Sequence, residues 1–340
     1  MRFRRSVCGT TRLRKPLQRG SGCSQDWIEV CVCVAPTLVR PPPSSFLGRQ
    51  HRAGHVQGDD VPEVHRIQAD SGVVLWAEVT GEGSPHVLVP GAGGDHSTWD
   101  PMWSPLTVTN RCVRYDLRGC GESEDRTTAR FRHADDLAVL LDELGIERTA
   151  LTGASMGGRI AVDFALTYPD RVDRLVLISP GLADWDWSDT WRGRWLELTR
   201  TARCGDLERV RDMWFHHPLF ATARRDPALA AQLRATIAAD ACRVWVDADR
   251  EIPPARPHVE CLPDLDMPVL LITGTDDVQD FRVIADIIAA MVPDIRRVDL
   301  PDTGHLAHLE RPVETAAEIG TFLDVADRDD AVARDRFGDR

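Results

Sequence analysis

The chain has 340 residues, 43% of them hydrophobic, which is enough to bury a sizeable core. No apolar run approaches the roughly 20 residues of a membrane span, the nearest, 27–39, being short and interrupted by Glu29. The net charge of −12 divides into +8 over residues 1–58 and −20 over the rest, an acidic body that excludes nucleic-acid phosphates as the partner.

Residues 1–60, with Arg clusters and the Pro41-Pro42-Pro43 run but no sustained periodicity, read as a disordered extension or as translated sequence upstream of the native start. Arg4-Arg5 precedes no apolar stretch, so twin-arginine export is not expected. From Val61 short β-branched runs alternate with amphipathic stretches, the pattern of a mostly parallel sheet flanked by helices.

Strands are predicted at 65–68 and 73–79, joined by the turn Asp70-Ser71-Gly72 as a hairpin, and at 86–89, ahead of the loop Pro90-Gly91-Ala92-Gly93-Gly94. Further strands follow at 111–116, 148–152, 172–179, 268–273 and 296–300, with helices at 134–144, 156–168 and 282–291. Between Ser179 and Pro268 the rhythm stops for a helical, Trp- and Arg-rich stretch, too long for a plain connection. The predicted organisation is a core over 61–181 and 263–325, an inserted helical cap over 182–262, and a tail over 326–340.

Gly153-Ala154-Ser155-Met156-Gly157 fits G-x-S-x-G between a predicted strand and a predicted helix. A side chain at Gly153 or Gly157 would collide with backbone in so tight a turn, and the turn exposes the serine hydroxyl. A serine nucleophile needs a base, and His305 follows the last predicted strand. Asp277, after the strand at 268–273, would orient the imidazole, and the chain order is Ser, Asp, His.

With these landmarks the sequence resembles the α/β-hydrolase superfamily over about 61–323. Arg114-Tyr115-Asp116-Leu117-Arg118-Gly119-Cys120-Gly121-Glu122-Ser123 is similar to its D-x-R-G-H-G-x-S segment, and Tyr168-Pro169-Asp170-Arg171-Val172 to its Y-P-x-R-V. The Ser-Met-Gly-Gly elbow is nearest to enol-lactonases, cofactor-free haloperoxidases and small carboxylesterases. The resemblance implies an eight-stranded, mostly parallel sheet under an inserted helical cap. It also implies a Ser155, Asp277, His305 triad, the family's G-x-x-D spacing from Gly274 selecting Asp277 over Asp276. The backbone amides of Ala92 and Met156 would form the oxyanion hole. Two departures stand out: Pro90 precedes Gly91 where the family has His-Gly, and Cys120 replaces a His.

The implied reaction is hydrolysis of a small-molecule ester or lactone through an acyl-enzyme, with no cofactor. The same triad also serves C–C bond hydrolysis, thioester cleavage and perhydrolysis or haloperoxidation, and the fold also serves non-catalytic ligand binding. Trp185, Trp187, Trp191 and Trp214 are the candidate substrate contacts, with Trp187, Trp191 and Trp195 recurring every fourth residue as a helical stripe. His216-His217 lacks an acidic partner at ligand spacing, so no metal is expected. Cys120 reads as structural. The nine scattered cysteines fit a reducing cytoplasm. The expected partner is a small-molecule substrate, neither nucleic acid nor membrane, and nothing in the sequence sets an oligomeric state.

Overall fold

The computed structural model describes residues 62–337, with side chains as far as Asp324. The extension expected over 1–60 lies outside them. Nine strands form one sheet: β1 (Glu63–Asp70), β2 (Val73–Thr80), β3 (Ser84–Val89), β4 (Asn110–Tyr115), β5 (Glu124–Asp125), β6 (Thr149–Ala154), β7 (Val172–Ile178), β8 (Val269–Gly274) and β9 (Ile295–Leu300). Their order is β1-β2-β4-β3-β6-β7-β8-β9, with the two-residue β5 pairing β2. The eight strands of that path are the eight expected from the sequence, each within a few residues.

The β1–β2 and β2–β4 pairs are antiparallel, whereas β3–β4, β3–β6 and every pair onward to β9 are parallel. All six residues of β6 and of β8 are buried, as expected of central parallel strands covered on both faces, while β1 at one edge alternates with solvent.

The helices are α1 (Asp100–Thr107), α2 (His133–Glu143), α3 (Met156–Thr167), α4 (Asp189–Arg203), α5 (Leu207–Phe215), α6 (Pro227–Ala239), α7 (Arg243–Val246), α8 (His258–Cys261), α9 (Gln279–Met291), α10 (Ala307–Glu310) and α11 (Pro312–Phe337). Leu137, Leu140, Ile160, Phe164, Ile284 and Ile288 bring α2, α3 and α9 onto one face of the sheet. Met102, Leu106, Ile319 and Phe322 bring α1 and α11 onto the other. The segment expected as a tail from 326 continues α11 to Phe337.

Helices α4 to α8 all fall between β7 and β8, where the sequence called for an insertion. They carry their own apolar cluster, built on Trp191, Leu198, Val210, Trp214, Phe215 and Trp245, and join the rest of the fold through Phe281 and Leu306. Several polar links fasten them. Ser188, which caps α4, also donates its hydroxyl to Asp280 at 2.8 Å. Arg250 donates to Asp125 at 2.9 Å. Among the described residues no helix is long and apolar enough to cross a membrane.

Candidate active site

Because β3, β6, β8 and β9 run parallel, the loops that follow them gather at one carboxyl edge of the sheet. Ser155 follows β6 and caps α3 with φ 54° and ψ −114°, a conformation rare outside glycine. It persists because the surroundings fix the turn. The Ser155 amide donates to Ile178 O at 2.9 Å, and the Ser155 carbonyl accepts from Gly181 and Arg159 at 3.0 and 3.1 Å.

The glycines around it have no spare room. A Cβ at Gly153 would stand 2.3 Å from Gly157 O, and one at Gly157 would stand 2.1 Å from Val89 O. Both obstacles are backbone, which cannot swing aside. Gly157→Ala is therefore expected to give little soluble protein, or a midpoint of thermal unfolding lowered by about four degrees or more, about 2–3 kcal/mol in a chain of this size. A melting curve matching the parent protein would contradict that packing.

His305 follows β9 and is 2% exposed. Its Nε2 lies 2.8 Å from Ser155 Oγ and its Nδ1 lies 2.9 Å from Asp277 Oδ2 and 3.1 Å from Oδ1. Because a carboxylate can only accept, Nδ1 carries the proton and Nε2 is left to accept from the serine hydroxyl. Asp277 Oδ1 also accepts from the Val278 amide at 2.7 Å. The adjacent Asp276 turns away, its nearest cation being Arg225 at 3.5 Å, with 40% of its side chain exposed.

Two loops are locked together under the imidazole. The Asp276 amide donates to Thr303 O at 2.9 Å, and a Cβ at Gly274 would lie 2.2 Å from both the Thr303 and Gly304 carbonyls. Glu310, which the sequence reading missed, brackets His305: its carboxylate accepts from the Gly304 amide at 2.9 Å and from the Leu306 amide at 3.1 Å. Phe281 on α9 lies edge-on against the imidazole, with ring centroids 4.3 Å apart. His308 behind it is neutral, burial and the neighbouring His305 pressing its pKa to about 3.

Ala92 and Met156 both line the space above Ser155, and neither amide donates to a backbone carbonyl among the described residues. The amide of Met156 opens α3, so the positive end of that helix points at the same space. Where the family has His before Gly91, this chain steadies the loop from the cap. Gly93 has φ +70°, and a Cβ there would meet Trp214 Nε1 at 2.6 Å. The Asp116 carboxylate accepts from the amides of His96 at 2.6 Å and Glu122 at 2.8 Å, which joins this loop to the segment holding Cys120. Cys120 is buried, and burial, with the charges of Asp240 and Asp116, drives its thiol pKa far up, so it is no nucleophile at neutral pH.

A cavity of about 660 Å³ opens above Ser155, within the usual range for small-molecule sites. Trp187, Trp191, Trp195, Trp214 and Phe281 form its aromatic wall. Of the four tryptophans singled out from the sequence, Trp185 is the one that does not line it, since its ring packs on the main core instead. Trp195 does line it. The stripe is only partly helical, because Trp187 precedes the Ser188 cap and stacks on Trp191 at 4.6 Å from outside the helix.

Opposite the rings, Arg159 of α3 and Glu251 of the cap form a two-pronged ion pair at 2.7 and 2.9 Å. Burial alone would raise the Glu251 carboxyl, yet Arg159 holds it at about 2. His217 is buried between Trp191 and Trp214, and His216 faces Asp212. No group of three or more His, Cys, Asp or Glu side chains among the described residues could hold a metal ion.

Comparison with known proteins agrees with this architecture. The family model for the alpha/beta hydrolase fold matches residues 85–312. A putative 2-succinyl-6-hydroxy-2,4-cyclohexadiene-1-carboxylate synthase of Bacillus subtilis is 30% identical over 258 residues, covering 70% of this chain and 89% of its own. A putative non-heme bromoperoxidase of Mycobacterium tuberculosis is 29% identical over 252 residues, covering 68% and 90%. Among solved structures, a thermophilic esterase from Thermogutta terrifontis superposes with a TM-score of 0.66 at 26% identity, covering 77% and 98%. An enol-lactonase from Burkholderia xenovorans gives the same TM-score at 24% identity, covering 77% and 100%, a likeness of fold. The chain belongs to the α/β-hydrolase fold family.

Proposed function

We propose that this protein is a serine hydrolase that cleaves a small-molecule carboxylic ester or lactone through an acyl-enzyme. The observation that carries the reading is the chain of hydrogen bonds from Ser155 Oγ to His305 Nε2 at 2.8 Å and from His305 Nδ1 to Asp277 at 2.9 Å, at the floor of an aromatic cavity.

Ser155 Oγ adds to the carbonyl carbon as its proton passes to His305 Nε2. The amides of Ala92 and Met156 receive the oxyanion, and Asp277 steadies the imidazolium. Collapse breaks the bond to the leaving oxygen, which takes the proton from Nε2. A water then gives its proton to the same nitrogen and attacks the acyl carbon; the acyl–Oγ bond breaks, Nε2 returns that proton to Oγ, and the acid leaves. The residues require no cofactor for this sequence. The five described cysteines are all free, which supports a reducing compartment such as the cytoplasm.

Incubation with a fluorophosphonate probe tests the reading. A single adduct on the peptide containing Ser155 is expected by mass spectrometry, and folded protein that stays unlabelled would overturn it. A panel of esters, lactones, thioesters and C–C substrates then separates the chemistries this triad serves.

A further inference from the structure

Two cavities meet at Ser155. Besides the large one under the cap there is a second, of about 50 Å³, beside the 91–94 loop, bounded among others by Thr98, Leu233, Thr236, His305 and His308. Ala92, Ser155, Trp214 and Leu219 line both, so the Trp214 and Leu219 side chains form the partition. His305 lines only the small one. On the other side Phe281 lies against the imidazole and lines the large cavity in its place.

That asymmetry gives the site a direction. In the reaction proposed above, the leaving oxygen must come within hydrogen-bond reach of His305 Nε2 to collect its proton, and the deacylating water must reach the same nitrogen. The acyl chain has no such requirement. We propose that the small cavity receives the leaving alcohol and then the water, while the large cavity holds the acyl group, so that the substrates are acyclic esters of bulky aromatic acids with small neutral alcohols such as methanol. This inference rests on the serine-hydrolase reading. The C–O bond to methanol breaks as the Ser155 ester forms, methanol leaves with the Nε2 proton, and one water replaces it to yield the carboxylic acid.

Size and chemistry agree. The small cavity has room for on the order of four waters, whereas the large one suits a fused or substituted ring system. Apart from Ser155 and His305 themselves, the small cavity's polar side chains are neutral: Thr98, Gln232, Thr236 and the uncharged His308. No Arg or Lys lines it to meet the phosphates of a carrier thiol. A lactone, whose acyl and alkoxy atoms share one ring, cannot be divided between the two cavities.

The test uses a pair of isomers built from the same atoms, methyl naphthylacetate and naphthylmethyl acetate, with kcat/KM measured on the intact protein and divided by the rate of hydroxide hydrolysis. The methyl ester is expected to be preferred by about tenfold or more, the scale on which a pocket discriminates by fit. A ratio of one or below overturns the assignment, and so does protein that takes the fluorophosphonate label yet hydrolyses neither isomer. Absence of labelling would instead remove the hydrolase reading itself. Two variants check the partition. Thr236→Trp is expected to sharpen the preference for methyl over butyl naphthylacetate about fivefold or more and to leave acyl-size preference unmoved. Trp195→Ala is expected to alter acyl-size preference and leave the methyl-to-butyl ratio unmoved. Both variants moving both preferences would mean one undivided pocket.

Discussion

Ser155→Ala is expected to lower kcat/KM for any turned-over ester by about 10⁶-fold, the scale of losing the nucleophile from a triad that acts as a unit. The substitution removes only Oγ. Alanine carries the same Cβ through the strained φ of 54°, and the bonds that hold the turn, to Ile178, Gly181 and Arg159, are all made by backbone atoms. Thermal unfolding should therefore stay close to that of the parent protein, so the loss reports chemistry rather than folding. Some rate above the uncatalysed reaction should survive, because the Ala92 and Met156 amides and the cavity still bind the substrate. Steady-state kinetics with a sensitive chromogenic or fluorogenic ester measures it, and a variant retaining about 1% of parental activity would show that Ser155 is not the nucleophile.

Asp277→Asn is expected to cost about 10⁴-fold in kcat with KM little changed. An amide at this position can present an N–H to His305 Nδ1, which stabilises the tautomer protonated on Nε2. That nitrogen could then no longer accept the Ser155 proton. The neighbouring position provides the control. Asp276 faces Arg225 at 3.5 Å from a partly exposed position, so Asp276→Asn should change kcat by less than about threefold. Equal losses at the two positions would contradict the geometry around His305.

Much of this was legible in the sequence because it is written locally. The strands are short apolar runs bounded by turn residues, and central burial made β6 and β8 continuous rather than alternating. Ser155 was legible because a tight strand-to-helix turn admits only small flanking residues, and Gly153 and Gly157 do face backbone at 2.3 and 2.1 Å. The Asp277 choice rested on spacing from Gly274, which packs directly on the histidine loop.

What stayed hidden was set by contacts between distant segments. Glu310 looks like an ordinary acid at the end of a short helix, yet it brackets His305 through two amides. Phe281 sits on a helix of the core and acts as part of the cavity wall. The division of labour among the cap tryptophans depends on where the chain enters α4, and the abundance of tryptophan in this stretch, not periodicity, grouped Trp185 with the others. The two-residue β5 carries no pattern to detect.

The contact between the Asp277 and His305 loops has a consequence for when the site is assembled. With Gly274 seated on Thr303 and Gly304, and Glu310 tying down both amides around the imidazole, acid and base are cast as one rigid block. The entropy of bringing them into line is surrendered once, as the chain folds, and is not charged again at each turnover. A site made this way trades conformational freedom across the carboxyl edge for readiness. Its adaptability to new substrates then has to come from the cap, at positions away from those, such as Trp214 and Thr222, that pack on the loops below.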